Sequence, residues 1–247
     1  MTYPSSHHTN GASEKNLYKI GGIAALIVAA LTLGEIVFFI FYPPPASIRG
    51  WFDLFQNNTL IGILDFWGLE IPMYFMFILV FLALYFLLKE THPNLTVIAL
   101  ILVIVGSAIF FSTNNPFSML TLSNQHAAAT TNAEKSALLG AGQVILANTN
   151  QRAVGGFNIG LLCVSLAGLL TSLVMVSSHV FNRSTAYIGI LAFTLSLADY
   201  LRQALTQSLV ISMLVILLGA LFLLIWFILV GRRLYQLGSA PEAPTGK

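Results

Sequence analysis

The sequence predicts an all-α, polytopic membrane protein with about six transmembrane helices and an extracytoplasmic helical hairpin. Three observations carry this. Six apolar runs approach the ~20 residues that a helix needs to cross a bilayer. Only 8% of the 247 residues are charged and 57% are hydrophobic, whereas a soluble domain carries about 25% charged residues. The runs are continuous rather than alternating, so each satisfies its own backbone as a helix and not as a strand of a membrane barrel. The mean hydropathy of +0.83 agrees.

Residues 1–16 are polar and contain His7-His8 and several Ser and Thr, which reads as a disordered cytoplasmic tail. The first helix is expected over Ile20–Tyr42, interrupted by Glu35. It lacks the short apolar core and cleavage site of a secretory signal and so reads as retained. Pro43-Pro44-Pro45 ends it, because proline cannot donate to the helical ladder. Ile48, Trp51, Phe52 and Phe55 then recur at i, i+3, i+4 and i+7. That spacing predicts a short helix with its apolar face at the membrane interface. The alternative is an irregular loop whose aromatics dip into lipid.

The second helix is expected over Leu69–Leu88, with Glu70 and Pro72 at its start, and the third over Leu95–Phe111. The segment 112–152 is too long for an idle connection. Thr131-Asn132-Ala133-Glu134 matches a capping box. Ala137, Leu138, Ala141, Ile145 and Asn148 follow on one face. With a second short helix over Phe117–Ala129, these predict a helical cap over the outer end of the bundle. The fourth, fifth and sixth helices are expected over Ala153–Val176, Thr185–Leu201 and Leu209–Val230. The transmembrane domain is thus 17–235, followed by a disordered cytoplasmic tail at 236–247.

Lys and Arg set the orientation. With the N-terminus inside, the inner side holds Lys15, Lys19, Lys89, Arg183, Arg232, Arg233 and Lys247, and the outer side Arg49, Lys135, Arg152 and Arg202. Both termini are therefore expected in the cytoplasm, in a bacterial inner membrane. The net charge of +2, with no basic run interleaved with aromatics, sets nucleic acid aside as a partner. Cys163 is alone, so neither an intramolecular disulfide nor a Cys/His zinc pattern is available. No catalytic motif, phosphate-binding loop or cofactor fingerprint appears, so no cofactor is expected and an enzyme is the least supported class. His126 has no acid at metal-ligand spacing and reads as a solvated histidine rather than a metal ligand.

Two constellations remain. Small residues form stripes: Gly21, Ala25, Val28 and Thr32 with Glu35 in the first helix, and Gly156, Gly160, Cys163, Ala167 and Thr171 in the fourth. Such stripes let membrane helices approach closely. They imply either packing within the chain or a homodimer seam through Gly156 and Gly160. The second constellation is charge: Glu35, Asp65, Glu70, Asp199 and Arg202 all fall in the outer half of the membrane. Glu35, Glu70, Asp199 and Arg202 are the candidate ligand-binding residues, because an ionisable group in hydrocarbon needs a partner, water or a function. Glu35 is expected to face the interior in one polar cluster with Asp199 and Arg202. The competing readings are a structural charge paired with Arg202 or a tyrosine, and a carboxyl snorkelling to the interface. Two function classes follow: a protein that binds a small ligand or proton in an outward polar cavity, and a structural or regulatory membrane subunit without a ligand.

The stretch from Asn114-Asn115-Pro116-Phe117-Ser118-Met119-Leu120-Thr121-Leu122-Ser123 through Ala127-Ala128-Ala129-Thr130-Thr131 to Leu138-Leu139-Gly140-Ala141-Gly142, and the later run Ser178–Gly189, resemble a bacterial family of multi-pass membrane proteins, domain of unknown function 4386. The resemblance implies a six-helix prokaryotic membrane protein and carries no activity or binding residues with it.

Overall fold

A computed structural model describes the backbone of residues 7–149, 158–205 and 209–240, and the side chains of 13–149, 158–200 and 217–240. Among the described residues the chain is all helix: α1 (His7–Phe41), α2 (Ile48–Asn57), α3 (Thr59–Ile63), α4 (Glu70–Leu88), α5 (Pro93–Thr113), α6 (Pro116–Ala128), α7 (Asn132–Thr149), α8 (Ile159–Ser177), α9 (Arg183–Leu205) and α10 (Leu209–Ser239). A single wide π turn, Leu64–Gly68, joins α3 to α4.

By length and composition, five stretches among the described residues can cross a membrane: Ser13–Phe41, Thr59–Leu88, Pro93–Ala128, Ile159–Ser177 and Leu217–Ser239. The protein is an integral, multi-pass membrane protein. The fifth expected span, Thr185–Leu201, falls on α9, which carries Asp199 together with Ser184, Thr185, Thr194 and Ser196. It packs between α8 and α10 like the rest of the bundle. The long helices form a closed ring in which each touches its neighbours in the order α1, α4, α5, α8, α9, α10 and back to α1. Each long helix thus packs beside the next long helix of the chain in an up-and-down ring, with α2 and α3, and α6 and α7, lying in its two long connections.

The ring is filled by aromatic side chains. Phe77 stacks on Phe227 at 5.5 Å, and Trp226 meets Phe193 edge-on at 5.1 Å and has the Phe81 ring 6.4 Å away. Large rings suit this position because hydrocarbon gives no hydrophobic drive between helices, so close packing must hold them. On α1 the stripe Gly21, Ala25, Val28 is buried, and Ile27, Leu33, Val37 and Phe41 face outward.

Several expectations are corrected here. The polar segment before Ile20 is helical from His7, because Glu14 reaches Lys89 at 3.7 Å and Leu17 and Tyr18 pack on the core. At the other end α10 runs on to Ser239 along α1. Residues 1–6 and 241–247 of the expected tails lie outside the described residues. The face of α2 carrying Trp51, Phe52 and Phe55 does not meet lipid. All three are at most 1% exposed, buried against α3, α6 and α7. Amphipathic spacing reports a buried face and cannot say whether lipid or protein buries it. On α7 the buried residues are Gly142, Leu146 and Thr149, with Ala137, Ala141 and Asn148 exposed, so the inward face is rotated by about one residue from the expected one. The helix start is as expected, with the Glu134 amide donating to the Thr131 hydroxyl at 3.2 Å.

Candidate functional site

The end of the bundle opposite the α1 start is closed by α2, α3, α6 and α7. Asn115 caps α6 by accepting from the Phe117 amide at 2.9 Å, with Pro116 at the first position, where its missing N–H costs nothing. Ser123 on α6 is fully buried and donates to the Phe52 carbonyl at 2.9 Å, while Gln56 donates to Ser123 at 3.0 Å and to Asn124 at 2.8 Å. His126 packs its ring 5.2 Å from that of Phe52, a half-buried cap residue rather than a freely solvated one. Beneath the cap, Asn114 joins three helix ends. Its side-chain amide donates to the Thr149 carbonyl at 3.5 Å, and its oxygen accepts from Asn158 at 3.3 Å and Thr113 at 2.6 Å.

Below this lies a layer of acids and phenols. The π turn at 64–68 breaks the helical path into α4. Phe66 and Trp67 leave helical geometry, and Trp67 has φ +64°. A left-handed non-glycine residue costs on the order of 1–3 kcal/mol and persists where packing holds it. Here Phe66 lies edge-on to Trp51 at 5.1 Å and Trp67 edge-on to Phe110 at 5.8 Å. The break puts Asp65, 2% exposed, and Glu70, 7% exposed, into the protein interior. Glu70 is the first residue of α4, where the free amides of the first turn favour a carboxylate by about 0.3–1 kcal/mol.

One turn along α4, Tyr74 is 2% exposed and its ring stacks on Phe110 at 3.7 Å. Its hydroxyl is buried with no hydrogen-bond partner. Tyr200, Glu70, Cys163 and Glu35 are close enough to act on it electrostatically, and Asp199 and Cys163 act in the same way on Tyr200. Glu35 is 8% exposed, about 9 Å from the end of α1 at about 1.5 Å per residue. Four helices, α1, α4, α8 and α9, therefore contribute to one level of the bundle.

The structure thus turns Glu35 inward, as expected, and sets Glu70 in the same layer. Asp199 is half-buried and reaches the layer beside Tyr200. The Arg202 side chain lies outside the described residues, so the expected grouping with that cation does too. Gly156 of the expected seam is also outside them. Gly160 is not on an open face: a Cβ there would stand 2.6 Å from the Gly106 carbonyl oxygen of α5. At Gly160 the stripe therefore serves packing within the chain. Among the described residues no three His, Cys, Asp or Glu side chains gather closely enough to hold a metal ion. The sequence pattern did not single out Tyr74 or Tyr200, and it marked Trp67 only as an aromatic anchor near a helix end. The signals were present in the four-residue spacing of Glu70 and Tyr74 and in Gly68 and Pro72 flanking an acid.

The family model described as Domain of unknown function (DUF4386) matches residues 55–231, more than two thirds of the chain. The chain belongs to this family. The matched DUF4386 region runs from the end of α2 into α10 and holds Asp65, Glu70, Tyr74, Asp199 and Tyr200, while Glu35 on α1 lies before it. The motif that carries the resemblance is structural in this DUF4386 protein: Asn114 ties helix ends, Asn115 and Pro116 start α6, and Met119 and Ser123 form its buried face. No curated protein and no solved structure matches the chain.

Proposed function

We propose that this DUF4386 protein binds a proton or a small ligand in the acid–phenol layer, reached from the extracytoplasmic side of a bacterial inner membrane, with both termini in the cytoplasm. Glu35 and Glu70 are the binding acids, with Asp199 at the rim of the same layer and Arg202, three residues on in the sequence, as a further candidate ligand. The observation that carries the reading is Tyr74: a buried hydroxyl without a hydrogen-bond partner, within electrostatic reach of the Glu70 carboxyl on its own helix and of Glu35, Cys163 and Tyr200 from three others. A buried hydroxyl left unsatisfied costs about 1–3 kcal/mol, so such a group is retained where a guest can complete it. The broken helix beside it supports the same reading, because irregular backbone at membrane depth is tolerated where it is buried in protein or lines a cavity. Orientation rests on the inner clustering of Lys and Arg.

A structural subunit is the second reading. The Asn114–Asn158 lock favours it, since buried polar groups of this same end already serve packing. Glu35→Gln and Glu70→Gln separate the two. Under the proposal, wild-type protein in nanodiscs gives a proton-exchange signal with a pH-indicator dye or a thermal shift with a small ligand, and either variant loses it while still folding. Variants that move only the melting temperature, with neither signal in the wild type, support the structural reading. Reporter fusions after Lys89 and after Lys135 check the orientation, with an inward signal expected at the first and an outward one at the second.

A further inference from the structure

At the end where α1 begins and α10 finishes, the cations are not equivalent. Lys89 reaches Glu14 on the side of α1 that faces α4. Arg233 donates to the Val180 carbonyl at 2.8 Å, holding the link between α8 and α9. Arg183 begins α9. Lys15 and Lys19 on α1 and Arg232 on α10 are left, on the two helices that meet at the α1–α10 seam.

The seam is narrow because glycines line it. A Cβ on Gly22 would stand 2.6 Å from the Tyr235 amide nitrogen, and one on Gly238 would stand 2.6 Å from the Lys15 carbonyl oxygen. Backbones this close set side chains of both helices next to one another. The Lys19 ammonium lies 5.8 Å from the centre of the Tyr235 ring. Lys15 precedes Lys19 by four residues and Arg232 precedes Tyr235 by three, so each pair shares a helix face. Lys19, Arg232 and Tyr235 are exposed. Among the described residues the one acid of this part of α1, Glu14, is drawn to Lys89 on the opposite side.

Immediately toward the membrane, Ile20, Ile23 and Ile27 on α1 and Ile228 on α10 are exposed, at 49%, 43%, 40% and 37%. A strip with cations and a phenol at its head and bare isoleucines below has two chemistries in the order of one molecule. We infer that the α1–α10 seam binds an anionic phospholipid, its phosphate held by Lys19 and Arg232 with Lys15 behind them, and its acyl chains along the isoleucines. Charge complementarity selects the occupant. Basic residues at helix ends attract acidic headgroups, and the apolar strip demands a ligand with chains rather than a free phosphate. This site lies at the opposite end of the bundle from the acid–phenol layer and does not depend on it.

The test is native mass spectrometry of the full chain released from micelles containing equal phosphatidylglycerol and phosphatidylcholine. The expected result is selective retention of phosphatidylglycerol. Neutralising two membrane-facing cations should weaken that retention roughly 30-fold, so Lys19→Gln with Arg232→Gln should lose it. Lys19→Arg should keep it, and Arg49→Gln with Lys135→Gln, at the cap end, should leave it unchanged. Equal retention of the two lipids by the wild type would overturn the inference, as would unaltered selectivity in the double variant. Displacement by soluble glycerol phosphate at matching concentration would also overturn it, by reassigning the site to free phosphate. Circular dichroism of the double variant confirms that the comparison is between folded proteins.

Discussion

Glu70 and Tyr74 stand one turn apart on the same face of α4, both less than a tenth exposed, with the Phe110 ring stacked 3.7 Å from that of the tyrosine. Stacking fixes the phenol in place without using its hydroxyl. Position and hydrogen bonding are thus separable at this residue, and mutation can address one without the other.

Tyr74→Phe removes only the hydroxyl. That group has no hydrogen-bond partner in the structure, so its loss should leave the empty protein as stable as before or raise stability by up to about 1–3 kcal/mol, the cost of an unsatisfied buried polar group. Tyr74→Ala also removes the ring and should cost about 3–5 kcal/mol. Thermal melts in detergent read both. A marked fall in melting temperature for Tyr74→Phe would show that the hydroxyl is bonded within the protein and would remove the main support for a guest in the layer.

On α5 and α8, Gly106 and Gly160 face each other: a Cβ on either would stand 2.7 or 2.6 Å from the other's carbonyl oxygen. Gly160→Ala would press a methyl group against the Gly106 carbonyl and should destabilise by about 1–3 kcal/mol through forced separation of the helices. A Cβ added to Gly140 on α7 would meet nothing within 4 Å. Gly140→Ala should therefore be neutral or stabilising by about 0.5–1 kcal/mol, from helix propensity alone. Chemical denaturation of the pair is the check, and equal effects at the two glycines would contradict the packing described.

Ser123 ties α6 to α2 by one hydrogen bond given and one received. Ser123→Ala leaves the buried Phe52 carbonyl without that donor and should cost about 1–3 kcal/mol. The loss should be local: hydrogen exchange should quicken in α2 and α6 while α4 and α5 stay protected. Uniform quickening through the bundle would mean that the cap and the ring unfold as one unit.

Composition and run length alone determined that this chain lives in a membrane as a set of helices. A carboxylate-poor, continuously apolar sequence has no other way to satisfy its backbone and cover its surface. The start of the second cap helix was also legible, since Thr131 through Glu134 is a local start signal whose partners lie within three residues. Glu35 could be turned inward from the small residues that share its stripe. What lies around Glu35 could not be read, because the Tyr74 phenol comes from another helix and periodicity within one helix carries no information about its neighbours. The same limit explains α2, whose apolar face meets α6 and α7 instead of lipid: spacing encodes a buried side, and only the tertiary arrangement decides what buries it. The break at Trp67 belongs to the same class. Its left-handed backbone is held by Phe110 and its neighbour Phe66 by Trp51, long-range contacts that exist only once the ring has closed.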